Sequence, residues 1–427
     1  MNSKHVAPLA KTALRTCRLL AEPARSTACK RTAVQRAHVH TTTSLRTPAS
    51  AAAETGKPQT EGKKESILIE IQRHPFPRFA ISHSGVADIV PRSHILGKAL
   101  TAGNFRLSLE EMMRLANVFV RVNGEKTRVE EGLERWRGDV LNVFSGDLKE
   151  ITRAASLFVK LSPNKALAYA LYKVAAEEGY QNAAYHYAVI LGTGSMRQRN
   201  GRAVGAKIIK DLAAFGHPPS QLLLAETMLL KNSQEETKRA IKLIERAAEN
   251  GVPGAAFKLG SLYREGKAVE KNYQRALAWY EKASTLGAPE GLFMVGSMYS
   301  AGQGTGDGQP DFAQAVECFE RAALGGNVEA QYNVGLYYLE GKGVEKNPGL
   351  VVEYWTMAAA ERFPVAMLNL GKLFAEGKVV GKNPRRARQL LESAIECGGS
   401  DGFIESEARL LLDKLDQSAR DTRCAIM

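Results

Sequence analysis

The sequence predicts an all-α protein, a stack of helical hairpins behind a leader that stays outside the folded body. Three observations lead there. Positions that close a helical pattern recur at Gly179, Gly216, Gly251, Gly287, Gly326, Arg362 and Gly398, at intervals of 37, 35, 36, 39, 36 and 36 residues. Hairpins of that size cannot bury an apolar face alone and must stack. Between these positions Ala, Gly and aromatic residues return at fixed offsets, while the first fifty residues are basic and almost free of acids.

Residues 1–48 read as a mitochondrial presequence. The first fifty residues hold nine Lys or Arg against a single acid, Glu22, and lack the continuous apolar core of a secretory signal. A helix over Lys4 to Leu20 sets Lys4, Lys11, Arg15 and Arg18 on one side, with Val6, Leu9, Ala13 and Leu20 toward the other. The run from Arg36 to Ser44 is similar to fungal processing sites, where an Arg lies shortly before the cut. The location expected is the matrix or the periphery of the inner membrane. Residues 49–66, with Pro58 among small residues, Lys and Glu, read as a linker.

The leader also accounts for most of the formal charge. Of the +13 overall, +8 falls within residues 1–50, so the body has no strong electrostatic case for nucleic acid. No run of 18 apolar residues occurs, and none of the five cysteines forms a CxxC pair.

Residues 67–146 are expected to form a mostly helical cap region. Ile67 to Ile71 reads as a strand or a short buried segment, and Pro75, Pro77 and Pro91 interrupt any long helix. Amphipathic patterns predict helices over Leu107 to Val120 and Val129 to Phe144.

Residues 147–401 carry about seven repeats. The clearest runs Ala255, Leu259, Gly260 and Tyr263, then Gly266 and Val269, then Ala276, Trp279, Tyr280 and Ala283. The landmarks return as Ala330, Val334, Gly335, Tyr338, Gly341, Trp355 and Ala358, as Ala366, Leu370, Gly371, Phe374, Gly377 and Ala394, and as Gly296, Tyr299, Gly302 and Ala322. Small residues let facing backbones approach, and aromatic residues fill the space between hairpins. Units at 182–216 and 219–251 are degenerate, with Ala188 and Ala225 at the Gly position, and the unit at 147–179 matches only in its second helix.

This pattern resembles the Sel1-like repeat family, related to the TPR-like helical repeats, in a mitochondrial, fungal-type member. The resemblance implies an α-solenoid that acts as a protein-binding scaffold, and family members include assembly factors of respiratory complexes and activators of cell-wall synthases. Residues 402–417 are expected as a terminal capping helix and 418–427 as a flexible tail. The last four residues, Cys424 to Met427, match a farnesylation box, so lipidation at Cys424 supports an alternative, a cytosolic scaffold attached to membranes by a prenyl group. A second alternative is a mitochondrial RNA-binding repeat protein. Its polar base-reading positions and basic groove do not match the Gly, Ala and aromatic landmarks.

No catalytic, cofactor-binding or metal-binding residues are expected. Gly302 to Gly308 follows a helix and lacks the Lys-Ser/Thr ending of a phosphate loop, so it reads as an enlarged hairpin loop that lengthens its repeat to 39 residues. His74, His83 and His94 make no ligand motif, and Cys318 stands where Trp279 stands one repeat earlier, a packing position.

A helical wheel on each first helix, with the repeat Gly at zero, places the Ala, Leu and aromatic landmarks on one side. Two rows fall opposite. One comprises His186, Leu223, Lys258, Met294, Asn333 and Asn369; the other comprises Val189, Glu226, Ser261, Ser297, Leu336 and Lys372. Met294 and Leu336 are apolar where packing does not demand it, as expected of a contact patch for a protein client such as a subunit of an inner-membrane complex. Peripheral association with the membrane fits the same reading.

Overall fold

The computed structural model describes residues 67–68, 70–72, 93–103, 105–124, 129–162, 165–193, 200–231, 233–398 and 402–426. The expected presequence and linker lie outside them. Among the described residues every regular element is a helix.

Among the described residues three complete helices precede the repeats, α1 (Ser93–Ala102), α2 (Leu109–Gly124) and α3 (Val129–Val143). The two helices that the amphipathic patterns predict correspond to α2 and α3. A reciprocal capping box starts α2: the Ser108 backbone N–H donates to the Glu111 carboxylate over 2.8 Å, and the Glu111 N–H donates to Ser108 Oγ over 3.2 Å. The Trp136 indole on α3 is fully buried, lies 5.0 Å from the ring of Phe119 and donates to the Leu115 carbonyl over 3.0 Å. Residues 67–72 have helical backbone where described. An alternation of Ile and Leu suits a strand, but the described residues hold no sheet to pair with, and Ile67 and Ile71 stand four apart as helical packing requires.

Seven hairpins follow, each a first and a second helix. They are α4 (Leu148–Leu161) with α5 (Ala166–Glu177), α6 (Gln181–Gly192) with α7 (Gly201–Ala214), and α8 (Pro218–Leu229) with α9 (Gln234–Glu249). Then come α10 (Pro253–Glu265) with α11 (Tyr273–Thr285), α12 (Pro289–Ser300) with α13 (Phe312–Leu324), α14 (Val328–Glu340) with α15 (Pro348–Ala360), and α16 (Pro364–Glu376) with α17 (Pro384–Gly398). From α4 to α17 consecutive helices pack on one another, which is the wiring of an α-solenoid. The last helix, α18 (Gly402–Ile426), packs on both α16 and α17 and covers the end of the stack. It runs well past residue 417, because residues 418–426 contain neither Gly nor Pro to stop it.

The turns explain the sequence landmarks. Each of the first six second helices ends in the paired bonds of a Schellman motif: the N–H of Gly287 donates to the Ser284 carbonyl and that of Ala288 to the Ala283 carbonyl, with counterparts at Gly179, Gly216, Gly251, Gly326 and Arg362. Within the later hairpins the residue that caps the second helix also closes the loop. Asn272, Asp311, Asn347 and Asn383 use the side chain to accept from the second helix's first N–H groups. Their own backbone N–H groups donate to the carbonyls of Tyr263, Tyr299, Tyr338 and Phe374, the aromatic landmarks of the first helices.

Packing inside the hairpins uses the repeat glycines for close approach. A Cβ on Gly260 would meet the Tyr280 ring at 2.7 Å, one on Gly296 the Phe319 ring at 2.9 Å, and one on Gly371 the Leu391 side chain at 3.0 Å. The core is not uniform along the chain. One cluster runs unbroken from Ile67 through α7, so the region before the repeats shares its core with the first two hairpins. Arg137 on α3 adds polar ties there, pairing with Glu177 and Glu178 at the end of α5.

Candidate protein-binding face

The two rows predicted on the first helices are half-buried, except Lys372, which is exposed. Each first helix after the first hairpin is packed by a second helix on both sides, so its buried arc is wider than a single-sided wheel allows. Several members of the rows are held in the seams. The His186 ring stacks on Tyr172 of α5 with centroids 5.0 Å apart, and Asn369 donates from its amide to the Tyr332 hydroxyl of the preceding repeat over 2.9 Å. Ser261 Oγ lies 3.1 Å from the Tyr280 hydroxyl, whereas Ser297 Oγ donates to the Phe293 carbonyl of its own helix over 2.9 Å. Leu223, Met294 and Leu336 each pack against a core cluster, which accounts for their apolar character without a partner.

Lys258, Asn333 and Lys372 make none of these seam contacts. Together they leave polar, partly or fully accessible positions on three of the first helices, α10, α14 and α16.

Wheel geometry alone missed a second set of contacts, where side chains bridge consecutive hairpins. The Tyr338 hydroxyl donates to the Glu320 carboxylate over 2.6 Å, and the Tyr354 ring stacks on Tyr338. That hydrogen bond pushes the Tyr338 hydroxyl up to about 12. Near the start of the stack, His217 is buried between two partners, with Nδ1 2.8 Å from Ser220 Oγ and Nε2 2.8 Å from Asn182 Oδ1. A downstream Gln of the same kind recurs at Gln221 and Gln331, each donating to the carbonyl of a second helix, Ala213 or Ala323.

The remaining candidate residues have structural places. Gly302 to Gly308 forms a loop between α12 and α13, tied by Thr305 Oγ1 to the Gly302 carbonyl and by the Gln309 N–H to the Asp307 carboxylate. Cys318 is buried among apolar neighbours, which pushes its thiol up to about 11. Among the described residues no three His, Cys, Asp or Glu gather as a metal site, and no helix is long and apolar enough to cross a membrane. His74 and His83 lie outside the described residues, as do the side chains of His94 and Cys424.

Comparison with known families settles what the hairpins are. The Sel1 repeat family model matches residues 159–180, 218–252, 253–287, 289–327, 328–362 and 364–399. The chain carries Sel1 repeats. Five of the six Sel1 matches each span a whole hairpin, from α8 through α17, and the first covers α5 with only the last residues of α4. The hairpin of α6 and α7 has no match, and its packing differs from that of the matched hairpins. Here Ala188 occupies the repeat's Gly position, and the glycine has moved to the second helix, where a Cβ on Gly205 would stand 2.5 Å from the Ala188 carbonyl oxygen.

Among solved structures, the fold is similar to a Sel1 repeat protein from Oxalobacter formigenes, with a TM-score of 0.51 at 20% identity, over 86% of this chain and 98% of that one. It is also similar to a protective antigen with an SLR fold from uropathogenic Escherichia coli, with a TM-score of 0.48 at 21% identity, over 76% of this chain and 68% of that one. No curated protein matches the sequence. Sel1-repeat proteins generally act as protein-interaction scaffolds that bind protein partners.

Proposed function

We propose that the chain is a non-enzymatic scaffold of mitochondria that binds protein clients and supports the assembly or maturation of an inner-membrane complex, such as one of the respiratory chain. The observation that carries the scaffold reading is the run of stacked Sel1 hairpins, which presents the same first-helix positions once per repeat. The mitochondrial part rests on the basic, acid-poor leader and the Arg36 region. Client contact is assigned to the first-helix rows, His186, Leu223, Lys258, Met294, Asn333, Asn369, Ser261, Ser297, Leu336 and Lys372. Within them Lys258 and Lys372 are the positions to alter, because Met294 and Leu336 also support the core. The prenylated alternative rests on the Cys424 box alone.

The test is crosslinking of the mature protein in isolated mitochondria, followed by identification of its partners and of its amino terminus. Import and cleavage yield an end between about residues 37 and 50. Joint substitution of Lys258→Glu and Lys372→Glu lowers crosslinking to an inner-membrane subunit while the thermal transition stays put. An intact Met1 end on the main pool overturns the location, and unchanged crosslinking overturns the assigned face.

A further inference from the structure

A groove at the start of the stack holds a segment of this same chain. Ile67 and Ile71 lie four residues apart on helical backbone, 7% and 0% exposed, and join the core formed with α5, α6 and α7. Glu70, next to Ile71, pairs with Lys207 on α7. The segment does not fill its site. A cavity of about 610 Å³ remains beside it, bounded by Ile67 and Leu68 on one side and by Tyr180, Asn182, Phe215 and His217 on the other.

We propose that this groove is a docking site for short amphipathic helical segments that carry aliphatic residues four apart with an acid just before the second, and that residues 67–72 occupy it in cis until such a client segment displaces them. The proposal rests on the scaffold reading but not on the first-helix rows. The seated segment shows the chemistry the groove accepts: two aliphatic side chains for the apolar floor and one carboxylate for Lys207. Its hold is small in extent. Among the described residues two buried isoleucines and one ion pair with a half-exposed Lys207 fix it, and residues 73–92 connect it to α1. Belonging to the same chain gives the segment a higher effective concentration at the groove than a free peptide has. A client segment of equal intrinsic affinity therefore binds the intact protein weakly, and binds well once the cis segment is disabled. The space left beside Leu68 accommodates a bulkier side chain than this chain supplies.

The experiment uses the full chain and a fluorescent peptide of residues 65–73, followed by anisotropy. Joint substitution of Ile67→Asp and Ile71→Asp tightens peptide binding at least tenfold over the unaltered protein. Adding Lys207→Glu to that variant weakens it at least fivefold, and a peptide with Glu70→Lys recovers the loss. A variant that keeps its helical melting transition but binds no better than the unaltered protein overturns the proposal. Should the variant not fold, a protease site placed between residues 73 and 92 of the unaltered chain decides the matter. Release of the amino-terminal fragment on dilution with the helical signal retained supports displacement; retention, unfolding or exchange of the segment between two copies overturns it. None of these failures alters crosslinking through Lys258 and Lys372, so the scaffold reading is judged separately.

Discussion

Gly335 on α14 lies against the indole of Trp355 on α15, so close that a Cβ at 335 would stand 2.2 Å from Nε1. That same Nε1–H donates to the Tyr332 carbonyl over 3.0 Å, and the ring is 1% exposed. The indole is thus held in place by its hydrogen bond and by packing, and cannot retreat from an added methyl. In an unconstrained helix, Ala is better than Gly by about 1 kcal/mol. Here overpacking costs about 1–3 kcal/mol, so Gly335→Ala lowers stability in urea despite its better propensity. Gly138 on α3 has nothing within 4 Å of its built Cβ. Gly138→Ala therefore raises stability, and shifts of the same sign at both positions would refute the close-approach account.

Arg362 offers the opposite test. It takes φ of 64° at the turn from α15 to α16, where five other second helices use Gly. The turn keeps its bonds, from the Arg362 N–H to the Ala359 carbonyl and from the Phe363 N–H to the Ala358 carbonyl. A left-handed conformation costs a non-glycine residue about 1–2 kcal/mol, and the greater freedom of Gly in the unfolded chain offsets part of the relief. Arg362→Gly is expected to stabilise by up to about 1 kcal/mol in denaturant titration. Arg362→Ala, which keeps the strained Cβ, gives no such gain.

The hairpin register was legible because its signals are local. A left-handed turn and a glycine facing an aromatic ring each require particular residue types, so Gly287 and Gly335 could be placed by spacing alone. The contact face was less legible, since half-burial of Met294 and Leu336 depends on both flanking second helices and not on one wheel. Two further features had no local signal at all. The glycine moved to Gly205 reads as an interruption until α6 and α7 are seen together, and the seat of Ile67 and Ile71 joins residues more than a hundred positions from Lys207. Long-range pairing of that kind leaves no periodicity in the chain.

The polar cluster beside that seat predicts a pH dependence whose sign follows from its geometry. Asn182 Oδ1 can only accept, so His217 donates from Nε2 and accepts at Nδ1 from Ser220, a neutral tautomer with both nitrogens satisfied. Burial, with the neighbouring His186 adding to it, holds His217 down to about 4 from an ordinary 6.5. Burial lowers His186 as well. Above pH 6.5 both folded and unfolded His217 are neutral and contribute no slope. As pH falls from 6.5 toward 4 the unfolded chain takes up a proton that the folded chain refuses, so stability falls, and below about 4 this contribution levels off. Carboxylates add their own dependence, so the test is a difference between proteins. Between pH 7 and pH 5, Tm of the unaltered protein is expected to drop more than Tm of His217→Gln, which retains an amide for Asn182 and Ser220 but does not titrate. Equal drops would mean that the histidine is protonated in the fold and that Nδ1 does not accept from Ser220.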